Sequence, residues 1–347
     1  MSDSQDPTQA AAGDHDVLPE ELPPVEPPSA GFIVQLFLVP ALIVMVIVGV
    51  WALFGKLASG EQDWRVLVAE VRNNNELRRW RGALGLAQML NVDRQMGDAG
   101  QHLATNRDIA TELAGLLDER LSSASQAEKE VKEQSFLTLA LGSLDVPDVV
   151  LPTLQQAMQP RYDREVRKNA IGAVAMIAGR AEESGAPISD DALVESLVEV
   201  SADTDPLLRQ MGAFTLGLLP SEVSQQRLMV LLSDSDRNAR VNAAVALARQ
   251  ASTAGLDVFR EVLSDAASTD NSQADSRATP QELASAESGR LIALKNTIKA
   301  VGDLADTLES DERNEVASLL EPIADDHDHN RIRIDAEQAL LRLKRPQ

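Results

Sequence analysis

The chain has 347 residues, 32 of them basic and 54 acidic, for a formal charge of -22, and no cysteine. Counterion release rewards a basic stripe, and this balance offers the reverse, so nucleic acid is excluded as an expected partner. Disulfides and thiolate metal sites are excluded with the cysteines, and the scarcity of aromatic and alternating β-branched runs points to an all-α chain.

Residues 1–31 read as an acidic, proline-rich tail. From Met1 to Ala30 the chain carries Asp3, Asp6, Asp14, Asp16, Glu20, Glu21 and Glu26 without a single Lys or Arg, and its later half holds Pro19, Pro23, Pro24, Pro27 and Pro28. Such a segment cannot bury enough apolar surface to offset its ordering entropy, so disorder is the expectation. The alternative is that LPPVEPP docks as a polyproline helix on an aromatic-lined groove.

Residues 32–54, FIVQLFLVPALIVMVIVGVWALF, contain no charge and one polar side chain, Gln35. As a helix they would span roughly 34 Å, enough for a hydrocarbon core of about 30 Å, and a single transmembrane helix is expected. The acidic leader and the long apolar run do not suit a cleaved signal peptide. Pro40 should kink this helix, and Trp51 belongs at an interface. Basic residues flank only its C-terminal side, Lys56, Arg65 and Arg72 first, which places the remainder in the cytoplasm and the tail outside. Residues 55–74 are a juxtamembrane neck.

From Asn75 to the end of the chain one phrase returns: an Asp- or Asn-rich turn, a basic residue, then small and aliphatic residues in helical order. The clearest copies are DREVRKNAIGAVA from Asp163, DPLLRQMGAFTLG from Asp205 and DRNARVNAAVALA from Asp236. Weaker copies begin at Asn75, Lys129 and Asn330, and a seventh from Ile292 fits with its basic residue displaced by one. Alignment yields a ladder of basic residues, Arg79, Lys132, Arg167, Arg209, Arg240 and Arg333. Arg209 precedes Arg240 by 31 residues, and Leu231-Leu232-Ser233-Asp234 recurs at the same interval as Val262-Leu263-Ser264-Asp265. Fixed self-similarity of this kind marks a helical solenoid. Each unit reads as two helices; in one, Val241, Ala244, Val245 and Ala248 share a face, and in another Ser221 is placed to cap a helix carrying Leu228 and Leu231. Neither helix can bury its stripe alone, so stacked pairs must share a core.

These phrases resemble the HEAT repeat, in particular the short bacterial kind related to bilin lyases, with Val166-Arg167 beside Ala170 as the closest match. The resemblance covers most of Asn75 to Arg345 and implies a HEAT-like α-solenoid over 75–347 that presents a surface to other proteins. Residues 266–278, AASTDNSQADSRA, hold almost nothing apolar larger than Ala and read as a flexible insertion, after which Thr279-Pro280-Gln281-Glu282 restarts a helix.

Chemistry is scarce. Asp325-Asp326-His327-Asp328-His329 concentrates possible metal ligands, but an acidic loop between helices accounts for it, and no metal is expected. Some HEAT-like proteins are metal-dependent hydroxylases with His-Glu pairs; none of His15, His102, His327 or His329 is followed by Glu. No phosphate loop or nucleophile elbow occurs, and no cofactor is expected. The reading is a membrane-anchored scaffold whose acidic solenoid binds a protein partner, plausibly a basic one; the alternative is an accessory or lyase-like subunit of a modifying enzyme.

Overall fold

The computed structural model describes residues 41–42, 44–50, 63–73, 75–123, 127–268 and 279–345. The chain divides into two units, Met1–Gln62 and Asp63–Gln347. The tail at 1–31 lies outside the described residues, as do most of the neck's first half and residues 269–278 of the expected insertion.

In the first unit, helix is described at 41–42 and 44–50. The membrane-spanning helix expected over 32–54, and with it the single-pass placement, is overturned: among the described residues no helix is long and apolar enough to cross a membrane. The uncharged composition of the stretch suggested a span; the described helix does not supply the length.

Among the described residues the second unit holds fourteen α-helices and no strand. They are α1 (Trp64–Val71), α2 (Glu76–Met96), α3 (Arg107–Ser122), α4 (Glu128–Gly142), α5 (Pro147–Ala157), α6 (Arg164–Glu183), α7 (Asp191–Val200), α8 (Pro206–Leu216), α9 (Glu222–Leu231), α10 (Arg237–Arg249), α11 (Leu256–Ala267), α12 (Pro280–Asp303), α13 (Ser310–Asp326) and α14 (Asn330–Leu343). Short polar side chains start many of them. Asn75, Asn106, Asp163, Asp190, Asp205, Ser221 and Asp236 each accept a hydrogen bond from a backbone N–H two or three residues on, satisfying donors that the helix itself cannot. Pro206 takes the first position of α8, where its missing N–H costs nothing.

Packing sorts the helices into two layers. The even-numbered helices from α4 to α14 lie side by side, each against the next even one. The odd-numbered helices from α1 to α9 do the same, as do α11 and α13, and each odd helix also packs on the even helix that follows it. Helix α2 leans on α1 and reaches α4 through the edge-on contact of Trp80 with Phe136, 6.4 Å between ring centroids. Part of the expected neck therefore belongs to the array: Leu67, Val68 and Val71 of α1 are buried.

The core repeats with the helices. Counting from the cap, positions +7, +8 and +11 are buried in each central even helix: Ala170, Ile171 and Val174 in α6, Gly212, Ala213 and Leu216 in α8, Ala243, Ala244 and Leu247 in α10. Small residues at the flanks let the even helices touch. A Cβ on Gly142 would lie 2.8 Å from that of Ala173, and one on Gly217 would lie 2.5 Å from that of Ala246. Both glycines stand where two helices approach too closely for a side chain. The buried side chains form two clusters that meet at α10: Ala243, Ala246 and Leu247 face the N-terminal one, while Val241, Ala244 and Ala248 face the C-terminal one.

Candidate functional site

Four turns that lead into even helices are built alike. With the N-cap as position zero, the side chain at -2 accepts the N–H of the cap, and an arginine at +4 returns to donate to the carbonyl of the same -2 residue. The cap N–H donates to Asn73 Oδ1 at 2.9 Å, Asp203 Oδ1 at 2.8 Å, Asp234 Oδ1 at 2.8 Å and His327 Nδ1 at 3.2 Å. The returning arginines are Arg79 to Asn73 O at 3.2 Å, Arg209 to Asp203 O at 3.0 Å, Arg240 to Asp234 O at 3.1 Å and Arg333 to His327 O at 2.7 Å. Backbone groups that a tight turn would leave bare are thereby satisfied.

Three of these arginines, and Arg167 with them, also reach forward to the next unit. Arg79 NH2 lies 2.6 Å from Glu133 Oε1, Arg167 NH2 bonds Asp203 Oδ2, and Arg240 NH2 donates to Glu261 Oε1 at 2.7 Å. Arg209 grips Asp234 with two parallel bonds of 2.9 Å, from Nε to Oδ2 and from NH2 to Oδ1. Paired forks of this kind are the strong form of the interaction. The Arg209 guanidinium holds the Asp234 carboxyl below its usual range. Burial pushes the Asp203 carboxyl upward, but the Asp205 N–H and Arg167 outweigh it, and the net shift is downward. From α6 to α11 the chain of contacts is continuous: Arg167, Asp203, Arg209, Asp234, Arg240, Glu261.

One expected rung, Lys132, and the copy from Ile292 depart from this arrangement. Lys132 is exposed and bonds Glu128 one turn back on its own helix, at 2.6 Å. The position in α4 that superposes on the ladder is Gln134, buried, with Nε2 donating to Arg120 O at 3.0 Å. In α12 the equivalent position is the buried Leu294. Both helices begin upstream of the level where the others have their turn, so no -2 carbonyl is free there to receive an arginine. Arg167 is a third variant: the -2 residue of its unit is Arg161, and Arg167 Nε donates instead to Met158 O at 3.0 Å. The acidic partners Asp203 and Asp234 were not singled out in the sequence, although the triplets Asp203-Thr204-Asp205 and Asp234-Ser235-Asp236 repeat at the 31-residue interval.

Beside Arg167 the longer turn before α6 opens a polar groove of about 480 Å³, lined by Gln155, Gln159, Arg161, Ser196 and Glu199 among others. Arg161 lies over the ring of the buried Tyr162, 4.8 Å from its centroid. Among the described residues no three His, Asp or Glu side chains come together to hold a metal ion. His327, within the expected acidic loop, is engaged with the N–H of His329.

Charge is divided between the layers. The even helices contain 20 basic residues against 13 acidic, and the odd helices 6 against 19. Glu195 and Glu199 of α7, Asp257, Glu261 and Asp265 of α11, and Glu321 and Asp325 of α13 are exposed on the odd side. Helices α8 and α10 contain no carboxylate.

The family model for HEAT repeats matches residues 191–279. This segment is similar to HEAT repeats. It takes in α7 to α11, most of the stretch over which the ladder is continuous. No curated protein matches the chain. Similar solved structures include an engineered protein, 20% identical over 81% of this chain and 78% of its own, TM-score 0.43. A designed armadillo repeat protein in complex with the peptide (KR)4 is 14% identical over 82% and 100%, TM-score 0.39. Human deoxyhypusine hydroxylase in complex with glycerol is 18% identical over 84% and 98%, TM-score 0.30. Nothing in these comparisons supports kinship with the bilin lyases.

Proposed function

We propose that the chain is a HEAT-repeat scaffold whose odd layer holds a basic segment of a partner protein. The observation that carries this reading is the separation of charge, which concentrates 19 carboxylates on the odd helices while their basic residues number 6. A face of one sign with low-dielectric walls raises the local concentration of ligands of the other sign and makes association depend on salt. The groove beside Arg167 lies against the same layer and offers Glu199, with the amides of Gln155 and Gln159, to a basic side chain and its backbone. The HEAT-like arrangement extends on this reading beyond 191–279 to the whole of α2–α14.

The test uses the full-length chain and a fluorescent octalysine peptide. Anisotropy titrations are expected to give binding that weakens steeply as salt rises, and the double change Glu195→Lys with Glu199→Lys should weaken it at least tenfold. No binding at low salt, or an affinity that ignores both salt and the two substitutions, overturns the reading.

A further inference from the structure

The outer face of the even layer is unlike the odd one in every respect that matters for docking. At +9 from the cap, α2, α6, α8 and α10 carry Leu84, Gly172, Phe214 and Val245; α4 is capped further upstream, at Ala127, and its matching residue, three before Gly142 as Phe214 is three before Gly217, is Leu139. Leu84, Leu139 and Phe214 are exposed, and Trp80 and Met176 beside them are exposed as well. Val245, at the end of the row, is half-buried against the C-terminal core. Large apolar side chains scattered singly need no explanation, but exposed ones that recur at one repeat position, on α2, α4 and α8, form a row. Lateral contacts tie the row together: Trp80 to Phe136 between α2 and α4, the Cβ direction of Gly172 to Met211 Cε at 3.6 Å between α6 and α8, and the Arg249 guanidinium 5.3 Å from the Phe214 ring centroid between α8 and α10. With helices spaced about 9 Å apart, the row is roughly 35 Å long.

Its charge is the opposite of the odd layer's. Arg78 and Arg81 stand exposed next to Trp80, and Arg249 covers Phe214; no carboxylate among the described residues pairs with any of the three. Helices α8 and α10, at the C-terminal end of the row, contain no acidic residue to repel an anion. Gly172 interrupts the row with a gap between Leu139 and Phe214, since a side chain there would meet only the flexible end of Met211.

We propose that this row is a second docking surface, which takes an acidic segment of a partner protein bearing large apolar side chains, one of them seated at Gly172. The apolar residues supply buried area, and the flanking arginines select against neutral and basic segments. Together with the acidic layer, it lets one array hold two partners of opposite charge on its two sides. The inference stands on residues that the odd-layer reading does not use.

The experiment uses the full-length chain and three probes: a synthetic helix-forming peptide of Glu and Asp with Leu and Phe on one face, a polyglutamate peptide of equal charge, and anionic vesicles of phosphatidylserine in phosphatidylcholine. The amphipathic acidic peptide is expected to bind, and polyglutamate and vesicles are expected to bind at least tenfold more weakly. Gly172→Leu fills the gap at a half-buried helical position where a Cβ meets only Met211 Cε at 3.6 Å, and is expected to weaken the peptide at least fivefold with no loss of melting temperature. Phe214→Ser with Arg249→Glu should abolish it. Octalysine binding must survive all these substitutions, which separates a failure here from a failure of the odd layer. Absence of peptide binding, equal binding of polyglutamate, preference for vesicles, or indifference to Gly172→Leu overturns the proposal.

Discussion

The stretch from α6 to α10 and the stretch from α11 to α14 share one architecture but are joined differently. In the first, neighbouring units are linked by the ladder, whose pairs are nearly closed off from solvent: the Arg209 and Asp234 side chains retain 12% and 10% of their exposure. In the second, units are joined by apolar packing and by open ion pairs such as Lys344 with Glu321, at 57% and 54%. A rule relates the two. Before α6, α8, α10 and α14, where the preceding even helix supplies a ladder arginine the turn has a carboxylate at -2, as at Asp203 and Asp234; where it supplies none, the -2 residue is uncharged or basic, as at His327 and Arg161. The difference teaches that the carboxylate is there for the neighbour, since Asn73 and His327 satisfy the turn itself without a charge.

The largest effect should come from Asp234→Ala, which strips Arg209 of both forward bonds and leaves a nearly enclosed guanidinium unpaired. A loss of about 3 kcal/mol is expected in urea unfolding, against at most about 0.5 kcal/mol for Lys344→Ala. Equal losses would erase the distinction between the two stretches.

Next in size are two glycines at equivalent flanks. Gly217→Ala drives a methyl against Ala246 and should cost about 2 kcal/mol. Gly302→Ala meets Ala339 Cβ at 3.3 Å, and its improved helix propensity should offset the tighter contact to within about 0.5 kcal/mol. Thermal melts of the two variants side by side show whether the central helices are the more closely packed.

The smallest effect concerns His327, the imidazole at -2. Burial, and then the nearby His329, lower its pKa, in keeping with an Nδ1 that accepts a hydrogen bond. The neutral form is the folded one, so this contribution is complete above the unfolded value of about 6.5 and drains away as pH falls through the lowered folded value. Between about pH 7.5 and about pH 5.5 the melting temperature should fall slightly, and His327→Asn, which copies Asn73, should remove that portion of the fall. A pH dependence that is identical in the variant rules His327 out as its source.

These contrasts also show how much was legible in the chain. The arginines at Arg167, Arg209 and Arg240 could be read because a cap and a charge recur four residues apart, which is local information. Lys132 could not be placed, since the register of α4 is set by how Gly142 meets Ala173 on another helix, and an uncharged Gln134 gives no signal. The acidic face was legible only as a sum. A total of -22 does not say that odd and even helices differ in sign, because layer membership follows from packing rather than from composition. At 32–54 composition misled in the other direction, since an uncharged run alone does not establish a helix of spanning length.

The repeated triplet before α8 and α10 has a consequence for how such a chain changes length. Asp203-Thr204-Asp205 and Asp234-Ser235-Asp236 are interchangeable ends, so excising Asp205–Ser235 joins Thr204 to Asp236 and still presents an Asp at -2 to Arg167 and a cap to Arg240. Duplicating the same 31 residues preserves both joints equally well. These 31 residues are thus a cassette that recombination can add or remove without leaving a charge stranded, whereas a cut at α12, which has neither turn nor rung, would find no matching end.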